Sequence, residues 1–233
     1  MASRRAADAL ISSGAVRVNG VRTPAQGQLV DPDHDTITVD GRRVQPPAAH
    51  HYVMLNKPLG VITTVRDEAS RPTVLDTIGK EGRRGHRLFP VGRLDADSTG
   101  LLLLTDDGDL SFRLTHPRYK VDKEYIVTVA GVPTSQDVES LRRGITLDDG
   151  KTAPAEVEIL RSTSKDAELR VVIREGRHRQ VRRMMQAVGH KTKALKRTAF
   201  GPLKLGRLKA GAWRPLSSAE VARLRRATRL ETR

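Results

Sequence analysis

The sequence predicts an α+β fold, on three observations. Stretches such as Glu124-Tyr-Ile-Val-Thr-Val129 alternate with the two-residue period of strands, putting Tyr125, Val127 and Val129 on one face. Others, such as Gln180 to Val188 with Val181, Met184, Met185 and Val188 inward, follow helical spacing. Leu101 to Leu104 is an unbroken apolar run closed by Asp106-Asp107-Gly108, the pattern of a strand buried on both faces and then a tight turn. The 233 residues allow one large domain, or one domain with an appendage, and a sizeable core.

In chain order, Ser3 caps a helix over Arg4 to Ser13 whose apolar positions Ala6, Ala7, Leu10 and Ile11 share a face, and Gly14 ends it. Val16 to Val21 reads as a hairpin with an Asn19-Gly20 turn, and Thr36 to Gly41 as a further strand and turn. Gln45-Pro-Pro-Ala-Ala-His-His51 has the composition of a linker. The expected division is therefore a fragment over 1–46, a linker over 47–51, a main domain over 52–218 and a basic helix over 219–233. In the main domain, Tyr52 to Leu55 and Val61 to Thr64 are expected as strands around the Asn56-Lys-Pro-Leu-Gly60 loop, and Arg71 to Ile78 as a short helix before an exposed loop, 81–87. Leu88 to Val91 feeds the segment Gly92-Arg-Leu-Asp-Ala-Asp-Ser-Thr-Gly100, which has no helical period. Asp109 is expected to cap a helix over Leu110 to Leu114, ended by His116-Pro117. The Asp106-Asp107-Gly108-Asp109 cluster lacks the spacing and terminal Glu of a calcium loop, so turn and helix cap explain it better. Beyond it come a helix over Thr134 to Arg143, a turn at Asp148-Asp-Gly150, strands over Glu168 to Ile173 and Ala194 to Thr198, and a final helix opened by the capping box Ser217-Ser-Ala-Glu220.

Composition narrows the function. There is no cysteine, which excludes disulfides and thiolate metal sites. No apolar run reaches signal or membrane length, so a cytoplasmic protein is expected. The net charge is +15, and residues 161 to 233 alone hold 21 Lys/Arg against five Asp/Glu. A surplus gathered in one third of the chain suits a polyanion, with nucleic acid the first guess. Aromatic residues are only 3%, so affinity must rest on phosphate contacts and shape rather than on stacking platforms.

Four stretches resemble the motifs of one enzyme family, the ribosomal pseudouridine synthases of the small-subunit enzyme A and large-subunit enzymes B, E and F group. They are Leu55-Asn-Lys-Pro-Leu-Gly-Val61, Gly92-Arg-Leu-Asp95 with the run to Leu110, Lys123-Glu-Tyr-Ile-Val127, and Glu175-Gly-Arg-His-Arg-Gln-Val-Arg-Arg-Met184. Ser3-Arg-Arg-Ala-Ala-Asp8 and its hairpin are similar to the S4 RNA-binding module that precedes many of these domains. That module normally opens with another helix, so a start codon further upstream or a reduced S4-like fragment is expected. The resemblance implies a mixed, mostly antiparallel sheet, with Asp95 as the catalytic residue, Tyr125 packing on the base and Arg182 pairing with Asp95.

The residue inventory agrees with such chemistry. There is no Walker loop, Rossmann glycine pattern, nucleophile elbow or Cys/His metal spacing, and no cofactor or metal is expected. Uridine isomerisation needs none: the glycosidic C–N bond breaks, the base turns, and a C–C bond forms. The target must be flipped from its stack at about a few kcal/mol. A carboxylate reacting in a covered cleft needs a cation to offset its desolvation, and Arg182 is the expected one. RNA contacts are expected from Arg93, which is placed to fill the vacated space or grip a phosphate, and from Arg177, Arg179, Arg183 and Lys196. Lys57 fits an RNA contact and a structural one equally. The expected partner is ribosomal RNA or a ribosome assembly intermediate, met by a monomer. Large-subunit RNA is the first target and small-subunit RNA the second. A non-catalytic RNA-binding assembly factor is the rival of a different class.

Overall fold

The computed structural model describes residues 4–23, 27–31, 34–45 and 49–230, so the Ser3 cap and the Pro46–Ala48 part of the linker lie outside the described residues. The chain forms two compact units, residues 1–50 and 51–233. None of the described helices is long and apolar enough to cross a membrane.

The first unit is small. Helix α1 (Arg4–Ser12) ends where Gly14 takes φ +78°, and strands β1 (Val16–Val18), β2 (Val21–Arg22), β3 (Ile37–Val39) and β4 (Arg42–Arg43) follow. They form an antiparallel sheet in the order β2-β1-β3-β4. Both hairpins turn on two residues of positive φ, Asn19-Gly20 and Asp40-Gly41, which matches the twist of the strands they join.

The second unit opens with β5 (Tyr52–Lys57), which runs on through Asn56 and Lys57. The strand expected over Val61 to Thr64 does not form: Ile62 makes only an isolated bridge to Thr73. Helix α2 (Val74–Arg83) begins later than the sequence suggested, and it is broken just past the expected end at Ile78 by a kink at Gly79, whose backbone is non-helical at φ +63°. Thr73 and Asp76 cap each other reciprocally at its start, and the helix takes in part of the expected exposed loop. Strands β6 (Phe89–Pro90) and β7 (Thr99–Thr105) follow, then α3 (Gly108–Thr115). The cap of α3 is Asp107 rather than Asp109, its carboxylate accepting the Leu110 N–H at 2.9 Å. The remaining elements are β8 (Lys123–Ala130), α4 (Ser135–Arg143), the hairpin β9 (Thr146–Leu147) and β10 (Gly150–Lys151), β11 (Glu156–Ser162), β12 (Asp166–Ile173), α5 (Gln180–Ala187), β13 (Thr192–Phe200), β14 (Leu203–Lys204), β15 (Trp213–Pro215) and α6 (Ser218–Ala227). Helix α6 is part of this unit, with Leu224 buried among Phe200, Leu203 and Leu205.

The main sheet runs β11-β12-β8-β13-β7-β5-β15, with β14 on β13 and β6 on β7. It is mixed and mostly antiparallel, as the resemblance implied; β13 and β7 are the parallel pair. Its neighbouring strands β7 and β5 are covered on both faces. Val53, Leu55, Leu102 and Leu104 feed one core, and Met54, Leu101 and Leu103 the other. Gly100 makes the parallel junction work. It stands opposite Lys57 on one side and Arg197 on the other, with φ +106°. A Cβ there would lie 2.2 Å from the Arg197 carbonyl oxygen, a distance no side chain tolerates.

Candidate active site

The segment from Gly92 to Ser98 leaves β6, crosses the end of the sheet and enters β7, so its position is set by a strand buried on both faces. Its own side chains add to this. Leu94 is packed in the core, and Thr63 holds its backbone twice, donating to the Leu94 carbonyl at 2.6 Å and accepting its N–H at 3.3 Å. The Gly60 N–H donates to the Ala96 carbonyl at 2.8 Å, and the Ser98 N–H to that of Asp95 at 3.0 Å. Beneath the segment lies Lys57, fully buried, with its ammonium donating to the carbonyls of Val61 at 2.7 Å and Pro58 at 3.0 Å. Burial pulls its pKa down to about 8, against the pull of Asp95 and Asp97. An ammonium sealed in this way cannot meet RNA, so of its two readings only the structural one stands.

The carboxylate of Asp95 opens into a cleft of about 350 Å³. Arg93 and Tyr125 line it, as do Lys123, Arg177, Arg179 and Arg197. Tyr125 sits on the inward face of β8, 8% exposed, opposite Val171 of β12 and Arg197 of β13. The parallel junction at Gly100 thus carries the aspartate and the tyrosine to the same hollow.

Arg179 is the cation beside Asp95, at 3.3 Å. Its guanidinium also donates to both oxygens of Asp97, at 2.8 and 3.2 Å, and holds the Asp97 carboxyl below the usual carboxylate range. This corrects the expected pairing. Arg182 reaches the backbone carbonyl of Asp97 at 2.7 Å and its carboxylate at 3.3 Å, so it braces the residue two places on. The reason is the entry to α5. Arg179 is its N-cap residue, in a left-handed conformation at φ +49°, and that turn throws its side chain toward the aspartate loop. Motif spacing does not reveal such a backbone reversal.

The other expected RNA contacts divide. Arg93 is exposed in the cleft wall. Lys196 is exposed on β13 but does not line the cleft. Arg177 and Arg183 both clamp the β9–β10 hairpin. Arg177 donates to the carbonyls of Gly150 at 2.9 Å and Lys151 at 2.6 Å, while Arg183 pairs with Asp148 at 2.5 Å and Asp149 at 2.8 Å. These intramolecular partners already occupy the charges that the sequence assigned to RNA. Three residues at the site were not expected there from the sequence: Thr63, Lys123 and Arg197, the last of which reads in the sequence as part of the basic surface but is buried. The two-residue period of β8 does signal Lys123, which shares the inward face with Tyr125.

A single carboxylate held beside a guanidinium, open to a hollow with an aromatic wall, suits attack on a flat ring's sugar or removal of its proton. Comparison with known proteins agrees. Residues 51–187 match the family described as RNA pseudouridylate synthase. Ribosomal large subunit pseudouridine synthase B of Bacillus subtilis is 42% identical over 227 residues, covering 97% of this chain and 91% of that protein. An RNA pseudouridine synthase of Aquifex aeolicus is 41% identical over 232 residues, covering 99% and 92%. A crystal structure of a pseudouridylate synthase aligns at a TM-score of 0.70 with 33% identity, covering 95% of this chain and 94% of that one. With the family matched over more than half of its length and relatives this similar from end to end, the chain belongs to the RNA pseudouridylate synthases and is an enzyme of that family.

Proposed function

We propose that the protein converts a specific uridine of ribosomal RNA, in the large-subunit RNA, to pseudouridine, with Asp95 as the residue that engages the sugar. The observation that carries this is the Asp95 carboxylate in the cleft, 3.3 Å from Arg179 and with Tyr125 in the same wall. The similarity to a large-subunit enzyme of Bacillus subtilis supports the choice of RNA. Asp95 bonds to C1′ or takes a sugar proton to give a glycal, and Tyr125 packs on the base. Arg179 offsets the cost of covering the carboxylate with RNA. Arg93 fills the space of the flipped nucleotide or grips its phosphate. The first unit is read as an S4-like module that adds RNA contact. The protein acts as a monomer in the cytoplasm, on ribosomal RNA or an assembly intermediate, and without a cofactor.

Mapping pseudouridines in ribosomal RNA from cells with and without the protein tests activity and target together. One large-subunit position is expected to revert to uridine; a change confined to small-subunit RNA would overturn the choice of RNA. In vitro, Asp95→Asn is expected to abolish conversion while RNA affinity stays within several-fold. Retained turnover would remove Asp95 from its role.

A further inference from the structure

Two buried cations in the cleft wall take no part in holding Asp95. Lys123 is 8% exposed and Arg197 is 2% exposed, and both line the cleft. Lys123 lies two residues from Tyr125 along β8, on the same face, and Arg197 lies opposite Tyr125 on β13. They converge over one ring: the Arg197 guanidinium carbon is 4.9 Å and the Lys123 ammonium 5.7 Å from the centroid of Phe200. Among the described residues neither makes an ion pair. The Lys123 ammonium has one long hydrogen bond, 3.3 Å to the Val121 carbonyl. Arg197 donates through Nε to the Leu101 carbonyl at 2.7 Å, while its Nη2 is buried without a partner. The carboxylates that act on Lys123 are engaged elsewhere, Asp122 with Arg174 at 2.7 Å and Glu175 with Arg177 at 3.4 Å.

Two like charges, desolvated and adjacent, with donors left over, make a costly arrangement unless an anion arrives between them. A phosphate is one candidate, but a phosphate stays on the RNA backbone and favours exposed cations, whereas these two flank the tyrosine wall of the hollow. The reaction itself makes an anion there. When the C1′–N1 bond breaks, its electron pair leaves with the base, and the charge spreads over N1, O2 and O4.

We propose that Lys123 and Arg197 form an anion subsite that receives the detached uracil and holds it by its charged oxygens while it turns. This deepens the reading of Asp95 as the residue that engages the sugar, and rests on it. C1′ is meanwhile held on Asp95, or carried as a glycal whose 2′ proton Asp95 took and returns. After the turn, a π pair of C5 bonds C1′, C5 loses its proton and N1 gains one, so no oxidant or further reactant is needed. The cations act on the state in which charge has developed and less on bound uridine, which is neutral.

The test compares uridine with 5-fluorouridine at the target position of one RNA, by single-turnover kinetics with enzyme in excess, read for both as disappearance of the N1-linked nucleoside, because a base with fluorine on C5 has no proton to lose there. Fluorine makes the departing base the weaker base, so it needs less help to leave. Lys123→Met is expected to slow uridine about 100-fold, to slow 5-fluorouridine about ten-fold less than that, and to keep RNA affinity within about three-fold. Lys123→Arg, which keeps the charge, is expected to recover most of the rate. Both substrates are read with one preparation, so partial unfolding lowers the two rates alike and cancels from their ratio. Wild-type conversion of the same RNA checks the activity by itself, so a loss confined to the variant speaks of the subsite alone. Equal slowing of both substrates, or a loss of RNA affinity with the rate unchanged, as a phosphate site would give, overturns the proposal.

Discussion

Two arginines three residues apart do different work, and the difference is measurable. Arg179 reaches the Asp95 carboxylate at 3.3 Å, whereas Arg182 touches Asp97. Arg179→Met is expected to slow single-turnover conversion about 100-fold, the scale for losing one preorganised charge at a reacting group. Arg182→Met, which loosens the loop one contact away, is expected to cost less than about ten-fold. The reverse order would restore Arg182 as the partner of Asp95. Lys57 gives a second prediction at this scale, in stability rather than rate. Burial holds its folded pKa at about 8, below the 10.5 of an ordinary lysine. Between those two values the unfolded chain carries the proton and the folded one does not, so Lys57 makes stability rise with pH across that window; below pH 8 both states are charged and its contribution is level. Urea unfolding of wild type and Lys57→Met from pH 7 to 10.5 is expected to show the difference moving in favour of wild type as pH rises above 8. A difference independent of pH would mean that the ammonium is not buried as described.

Among the elements, the site depends on one junction. β13 runs parallel to β7 only because Gly100 leaves room for the Arg197 backbone, and that contact sets the aspartate loop against the strand bearing Tyr125. Gly100→Ala combines a positive φ with a clash against backbone, so it is expected to destabilise the protein by roughly 3 kcal/mol or more and to lower activity as well. Calorimetry or urea unfolding checks this, and an unchanged melting temperature would show that the strands can part without penalty. How much of this was legible follows from what each element uses to declare itself. Leu101 to Leu104, Tyr125 to Val129 and the inward face of α5 announce themselves by period, because apolar side chains are what their packing needs. β11 and β15 do not. They are the edges of the sheet, β11 with Glu156, Glu158 and Arg161 in solvent and β15 with a proline, and edge strands shed the apolar signal. Of the candidate site, Asp95 and Tyr125 were legible as cleft residues, because they stand in local motifs. The pairing of Asp95 with Arg179 was not, because it is decided by a left-handed residue at the start of α5 and by a partner more than 80 residues away.

For the whole molecule, charge is the property that matters, and the fold redistributes it. The last third of the sequence holds 21 Lys/Arg against five acids, which on its own describes a strongly basic surface. Among the described residues after 160, ten of those cations form ion pairs, several with carboxylates of the middle third such as Asp97, Asp122, Glu124, Asp148 and Asp149. Arg197 is buried as well. Much of the surplus is therefore engaged within the protein, and among the described residues Arg93 at the cleft and Lys196 on β13 are exposed cations without such ion pairs, which makes them the ones proposed to face RNA. Each phosphate neutralised releases counterions, so binding weakens with salt with a slope of about 0.7 to 0.9 per contact. Replacing Arg93 or Lys196 by glutamine is expected to lower the slope of log affinity against log salt by about that amount. Arg183→Gln, which frees the β9–β10 hairpin without removing an RNA-facing charge, is expected to leave the slope unchanged and to lower stability instead. Filter-binding or fluorescence titrations of the target RNA at several salt concentrations decide between the two. A loss of slope with Arg183 equal to that with Arg93 would mean that its carboxylate partners let go when RNA binds.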